Sequence, residues 1–472
     1  MTIQRTSAQK NQSASRSNSN IKNPKSGRWL YFWLGMGGIA IVSATAGALL
    51  AVSLTSTPLM HTELSPDEAA VFDSDRIAGG GLQFSQLTRP VNVLLLGMSV
   101  LPPDVKNPPA ETKGLRYQPE INSFDGLSDV MLLVRFDPEK KKIVSLSIPR
   151  DTRTEIEGHG MKKINAANVD GGPALTAKTV SHLLDGVGID RYVRINVLGM
   201  AKLIDALGGV TVYVPKDMKY QDDSQHLYIN LKAGQQHLNG DQALQLLRFR
   251  HDALGDIGRI QRQQMVMRAL IDQTLNPGTV AQLPKILDVV KDHIDTNMTV
   301  EELVALLGFG VQTSHSNMHM LMLPGRFSSK REFNTSYWLP DKQHINAMMA
   351  QHFNVQAADQ ANQPEVTNPA SLRVAIQDST GSRRSTLRPL ILTLEKAGYR
   401  NIYVDKHSAE PLAVTHIVAQ QGDGSSAESI RSTIGFGEVR VESTGNLASD
   451  ISIQVGKDWL QQRGVLQQPL RR

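Results

Sequence analysis

The sequence predicts an α/β sandwich in which helices cover a central sheet. Three observations carry that expectation. Val91–Leu96 is apolar apart from Asn92 and is closed by Gly97, the pattern of a strand buried on both faces. Further strand-like runs at Asp129–Phe136, Ile143–Ile148, Tyr192–Asn196, Val210–Val214 and Met318–Leu323 interleave with helical stretches. Glycine and proline punctuate the helices: Gly171–Gly172–Pro173 opens one to about Leu184, Gly208–Gly209 closes one over Leu198–Leu207, and Asn239–Gly240 precede one that ends near Arg248 and Arg250. Ala281–Val290 and Val300–Gly310 are further helical stretches.

The rest of the chain divides by composition. Residues 1–28 are rich in Ser, Asn and Gln, and they read as a disordered basic tail. Trp29–Leu54 carries no charge for 26 residues and begins with Trp29, Tyr31 and Trp33, so it is expected to be an uncleaved transmembrane helix. Residues 55–90 read as a spacer, 91–353 as the main domain, and 354–370, polar with two prolines, as a linker. Residues 371–457 form a second, smaller α/β unit. Its expected elements are strands at Leu372–Ile376, Asn401–Val404 and Ile451–Val455, and helices at Arg384–Ala397 and Ala427–Ser432.

Charge and composition exclude several classes. The net charge of +5 comes from Arg5, Lys10, Arg16, Lys22, Lys25 and Arg28, after which 44 basic residues face 45 acidic ones. A nucleic-acid binder would carry its excess on the folded domain, so no nucleic-acid partner is expected. The absence of cysteine removes disulfides, thiolate nucleophiles and Cys-ligated metal. Gly97–Met98–Ser99–Val100–Leu101 lacks the closing glycine of a nucleophile elbow. No P-loop motif occurs, and the 13 histidines show no metal-binding spacing.

What remains is arginine. Ser147–Ile148–Pro149–Arg150–Asp151–Thr152–Arg153 ends a strand at its C-terminal edge, where open α/β sheets place ligands. Arg248, Arg250, Arg259 and Arg262 gather in the stretch RFRHDALGDIGRIQRQQ (248–264). Counting 100° per residue from Asp256, Arg259 at about −60° and Gln263 at about −20° share a face of the helix that follows. Met267 and Leu270 continue that face, with Ile260 and Ile271 at its flank. Polar groups at a helix start suit an anion, and arginine's planar fork suits phosphate. The apolar stripe suits either a lipid tail or the core. A hard-metal site of carboxylate and phosphate oxygens stays open, with Asp129 its leading ligand.

At this point the residues match a family. SIPRDTR (147–153), KINAAN (163–168) with Gly171–Gly172, DALGGVTVYV (205–214), LNGDQALQLLRFR (238–250) and GRIQRQQ (258–264) resemble the LytR-CpsA-Psr family, over about Val91–Gln273. The second unit looks like the LytR C-terminal domain. The resemblance implies a central mixed sheet flanked by helices and a membrane-anchored, extracytoplasmic phosphotransferase. Such an enzyme moves a glycopolymer from an undecaprenyl-pyrophosphate carrier to peptidoglycan with Mg²⁺. Carried over by motif, Arg150, Asp151, Arg259 and Gln263 would be catalytic. Arg150, Arg153, Arg248, Arg250, Arg259 and Gln263 would hold the pyrophosphate, and Asp129 would hold the metal. One departure stands out: Ser99 replaces the family's usual aspartate after the first strand. The insertion Leu101–Phe124 follows, similar to those of cyanobacterial members, and Asp104 or Asp125 could substitute. Two alternatives are a lipid-pyrophosphate hydrolase and a non-catalytic wall-binding or regulatory protein.

Since all the charge flanking Trp29–Leu54 lies on its N-terminal side, the N-terminus belongs in the cytoplasm and the domains beyond the membrane. A reporter fused after Arg472 is expected to be active only outside the cytoplasm. Activity inside the cell would remove any access to peptidoglycan.

Overall fold

The computed structural model describes Leu59 and residues 61–79, 86–98, 124, 126–223, 227–249, 256–274, 282–355, 368–382, 386–405, 410–420, 422–443, 445–446 and 448–461. The apolar run becomes β1 (Val91–Met98), the inner strand it was expected to be. It pairs antiparallel with β2 (Ser128–Asp137) and parallel with β4 (Arg191–Asn196). β2 pairs antiparallel with β3 (Lys142–Ser147), and β5 (Ile294–Thr296) pairs antiparallel with β4. β6 (Met318–Met322) closes the far side, parallel to β3, so the six-stranded mixed sheet runs β5–β4–β1–β2–β3–β6. Apolar side chains fill both of its faces. Leu94, Leu96 and Leu133 join the main core, whereas Val91 and Val93 pack with Ile77, Met298 and Leu306.

Helices surround this sheet: α1 (Ala167–Leu183), α2 (Val197–Ala206), α3 (Gly240–Arg248), α4 (Asp256–Thr274), α5 (Leu283–His293), α6 (Val300–Gln312) and α7 (Lys342–Phe353). α1 is two helical pieces meeting at Gly171–Gly172, and Gly172 has φ +63°. That left-handed conformation suits a residue without Cβ, and the longer piece then starts at Pro173, whose fixed φ suits a first turn. α3 begins with a capping box in which Asn239 accepts from the Gln242 backbone and the Gln242 side chain accepts from the Asn239 backbone.

The second unit is a five-stranded sheet in the order β8–β7–β11–β9–β10. Its strands are β7 (Arg373–Asp378), β8 (Asn401–Asp405), β9 (His416–Ala419), β10 (Glu438–Val441) and β11 (Ile451–Val455), with helices α8 (Arg388–Lys396) and α9 (Gly424–Ile434). Trp459 is fully buried and stacks on Phe436, so this unit extends beyond residue 457.

Several expectations need correction. The described residues of the stretch read as a spacer belong to the folded domain. Phe72 and Ile77 are buried, and Thr62 donates from its backbone N to Asp295 Oδ1 at 2.6 Å. α7, β9 and the hairpin Arg153–Ile156/Gly160–Lys163 were not foreseen. Trp29–Leu54, the insertion 101–123 and most of the linker lie outside the described residues. Among the described residues no helix is long and apolar enough to cross a membrane.

One unforeseen interaction ties β4 to β5. Arg194 and Asp295, 2% and 1% exposed, pair Nε to Oδ2 at 2.6 Å. Arg194 Nη1 also donates to the Phe124 carbonyl at 3.0 Å and to Asn168 Oδ1 at 3.3 Å. Removing one partner of a buried pair strands the other. Arg194→Ala is therefore expected to cost about 3–5 kcal/mol in urea unfolding. A loss below about 1 kcal/mol would mean that Thr62 and water suffice for Asp295.

Candidate functional site

Three segments far apart in sequence meet at Asp129. The first is a bulge. Gly97 pairs with Val130 and Met98 with Ser128, leaving Asp129 as the extra residue of β2. Bulges of this kind re-aim a side chain and end a ladder. Gly97 is needed there, because a Cβ would come within 2.9 Å of Val130 Cβ. The second is the turn after β3. Pro149 stops the strand, and its carbonyl accepts from the Thr152 backbone N at 2.9 Å and from Thr152 Oγ1 at 2.6 Å. The Arg150 carbonyl accepts from Asn165 N and that of Asp151 from Trp338 N. The third is the first turn of α4, which brings Arg259.

Asp129 Oδ1 accepts from Arg150 Nη1 and its Oδ2 from Arg259 Nη2, each at 2.7 Å. Burial alone would raise the Asp129 pKa, but Arg259 and Arg150 outweigh it and bring it from the ordinary 3.8 to about 2. The carboxylate is therefore ionised at any physiological pH. Asp151 Oδ1 accepts from Lys163 Nζ at 2.6 Å, and its Oδ2 lies 3.6 Å from Arg150 Nε. Lys163, from the KINAAN motif, was missed as a site residue, and its place in that motif was the available signal.

Beside this cluster lies a partly open pocket with a cavity volume of about 50 Å³. Asp129, Arg150, Asp151, Arg259 and Gln263 line it, together with apolar Leu132, Ile148, Met267, Met320 and Phe327. Gln264 lines it as well, buried, with neither amide atom bonded among the described residues. A buried amide in that state has capacity for a polar ligand atom.

The structure thus brings together Asp129, Arg150, Asp151, Arg259 and Gln263. Arg153 and Arg248 do not line the pocket. Arg153 lies over the Phe333 ring, 5.0 Å from its centroid, and Arg248 is the half-buried last residue of α3. Arg250, Ser99, Asp104 and Asp125 lie outside the described residues. Met267 of the expected apolar stripe reaches the pocket, whereas Leu270 is buried without lining it. Arg262 does not line the pocket. It is buried, its Nε donates to the Leu246 carbonyl at 3.1 Å and its Nη2 to that of Phe249 at 2.5 Å, so it ties the end of α3 to α4.

For a metal, the donor chemistry is restricted. Among the described residues no three His, Cys, Asp or Glu side chains gather as a cage. Mg²⁺, however, characteristically takes one or two carboxylates and completes its shell with phosphate oxygens and water. Asp129 fits that pattern in its chemistry: it is an ionised carboxylate, and a carboxylate oxygen can accept more than one partner.

The fold and this cluster define an α/β domain in which an aspartate held by two arginines lies at a pocket with mixed polar and apolar walls. The sequence profile of the LytR_cpsA_psr family matches residues 60–354, and the chain belongs to that family. Residues 371–459 match a second profile, described as LytR cell envelope-related transcriptional attenuator. The chain is similar to the polyisoprenyl-teichoic acid–peptidoglycan teichoic acid transferase TagV of Bacillus subtilis, 35% identical over 227 residues, which is 47% of this chain and 57% of that relative. The match therefore spans less than two thirds of the relative's length. The polyisoprenyl-teichoic acid–peptidoglycan teichoic acid transferase TagU of Bacillus cereus is 29% identical over 337 residues, 69% of this chain and 98% of that one. A crystal structure of B. subtilis TagV aligns over 57% of this chain and 99% of its own, with 29% identity and a TM-score of 0.46.

Two arginines three residues apart give opposite expectations. Lysine at 259 keeps the charge but loses the planar fork. A charge-assisted hydrogen bond is worth about 1.5–3 kcal/mol and tenfold in rate about 1.4 kcal/mol. Arg259→Lys is thus expected to lower kcat/KM about ten- to a hundredfold with a small change in melting temperature. Arg262→Lys should instead lower the melting temperature, through its two carbonyl bonds, more than it lowers turnover. Equal turnover in the two variants would mean that the site is misplaced. Because the Asp129 pKa is depressed, its ion pairs stabilise the fold fully above about pH 4 and are lost as pH falls through about 2. Any acid limb of activity near neutral pH must then belong to another group.

Proposed function

We propose that this protein is a membrane-anchored, extracytoplasmic phosphotransferase that moves a glycopolymer from a polyprenyl-pyrophosphate carrier to peptidoglycan. The observation that carries this reading is Asp129 shared by Arg150 and Arg259 beside a pocket with apolar walls. Summed over Asp129, Arg150, Arg259, Asp151 and Lys163, the cluster keeps one positive charge, which suits an anionic head group. The walls of Leu132, Met267 and Phe327 suit the isoprenoid behind it. The names of the relatives supply the reaction type, transfer from a polyisoprenyl carrier to peptidoglycan.

In the reaction, an acceptor hydroxyl oxygen attacks the phosphorus that bears the sugar. A P–O bond forms to the acceptor while the P–O bond to the bridging oxygen breaks. Polyprenyl phosphate leaves with that electron pair, and the hydroxyl proton is lost to solvent or to the leaving phosphate. Arg150 and Arg259 offer guanidinium donors to the phosphate oxygens, where positioning and charge stabilisation do most of the work. Asp129 holds both guanidiniums in place before substrate arrives. Gln263, which lines the same pocket, would donate from its amide to the same oxygens. Asp151, occupied by Lys163 and close to Arg150, orients that arginine rather than accepting the proton. Mg²⁺, when bound through Asp129, would add further positive charge at the pyrophosphate.

Incubation of the protein with a polyprenyl-pyrophosphate-linked oligosaccharide, Mg²⁺ and peptidoglycan is expected to give wall-linked glycan and polyprenyl phosphate in equal amounts. Chelation should suppress both. Release of glycan phosphate to water with no wall-linked product would make the protein a hydrolase. No turnover of the donor at all would leave a binding or regulatory role.

A further inference from the structure

The helix that carries Arg259 is also held from the other side. On α4, Arg259, Gln263, Gln264 and Met267 line the pocket, while Gln261 and Arg268, seven residues apart, engage the C-terminal unit. Gln261 Nε2 donates to the Gly445 carbonyl at 3.0 Å, and the Arg268 guanidinium contacts the Glu442 carboxylate, whose residue is 2% exposed. The same short stretch docks on β6, the edge of the six-stranded sheet. Met320 bridges Glu442 in parallel, its carbonyl accepts from Ser443 N at 2.8 Å, and Met322 N donates to Ser443 Oγ at 3.0 Å. Ser443 Oγ in turn donates to the Gln420 carbonyl at 2.7 Å, inside the C-terminal unit. Met320 is itself a pocket residue. Residues Glu442, Ser443 and Gly445 therefore touch two elements that wall the pocket, α4 and β6.

We propose that the C-terminal unit is a positioning element of the transfer site: through Arg268–Glu442 and Gln261–Gly445 it fixes α4, and so keeps the Arg259 guanidinium on Asp129. This rests on the transferase reading given above. The residues touch no substrate and act through Arg259. A buried carboxylate needs its cation, which makes the docked arrangement specific as well as cohesive. Residues that share one contact should also show non-additive effects.

The test uses the full chain with Glu442→Gln, Arg268→Gln, their combination, and Gln261→Ala as a milder variant. Hydrogen exchange of the α4 amides, compared with those of α1, reads the helix without any need for turnover. Steady-state kinetics with a polyprenyl-pyrophosphate-linked oligosaccharide read the consequence. Each charge variant is expected to speed exchange in α4 but not in α1, and to lower kcat about tenfold with KM little changed. The double variant should be no worse than either single one. Unchanged exchange in α4, equal acceleration in α1 and α4, or additive losses would overturn the proposal. If the unaltered protein turns over no donor, the transferase reading fails, while the exchange arm still decides whether the C-terminal unit holds α4.

Discussion

One buried carboxylate shared by two guanidiniums is the constraint on which the site depends. Asp129, Arg150 and Arg259 come from a strand bulge, a turn after a strand and a helix start, separated in sequence by 21 and 109 residues. None of these segments is fixed at that point by its own secondary structure. Bringing three charges out of water is costly, and the cost is offset only when both oxygens are matched by well-aligned donors. Both are, at 2.7 Å. The ion pair network therefore links β2, the Pro149 turn and α4 at one point.

The surrounding motifs serve that link more than they serve chemistry. Thr152 and Pro149 shape the turn, and Asn165 N holds the Arg150 carbonyl. Asn168 Nδ2 donates to the carbonyls of Phe124 and Gly126, which fixes the chain just ahead of β2 and so the entry to the bulge. Lys163 neutralises Asp151, whose second oxygen faces Arg150. Arg262 performs a similar task from α4, gripping carbonyls at the end of α3. A stretch dense in arginine is thus divided between one residue that faces the pocket and one that holds the scaffold.

Much of this was legible in the sequence, for reasons that differ by residue. β1 declared itself because a strand buried on both faces is apolar along most of its length, here interrupted only by Asn92. Arg150 was legible because a proline marks where its strand ends, and Arg259 with Gln263 because helical periodicity puts them on one face. The role of Arg262 was not legible, because the sequence shows it only as one more arginine in a polar stretch. Its burial depends on two carbonyls that only the packing of α3 on α4 supplies. Arg194 and Asp295 were invisible for a related reason: isolated charges in two short strands carry no pattern until the strands pair. The helix α7 was available and missed. Ile345, Met348, Met349 and Phe353 keep helical spacing and are all buried, but polar residues between them hide the stripe.

The C-terminal unit bears on the same balance through the sheet edge. An edge strand presents unpaired backbone groups, and proteins cover such edges with other segments. β6 is the edge next to the pocket, and the residues after β10 cover part of it with one backbone and one side-chain hydrogen bond. Had the covering been made by a neutral loop, it would have satisfied the edge and nothing more. Here the covering residues also carry Glu442 to Arg268 and a carbonyl to Gln261. Edge protection and helix position are thereby joined in a single stretch of chain. A displacement of that stretch would at once expose the edge of the sheet and loosen the helix whose arginine completes the Asp129 pair.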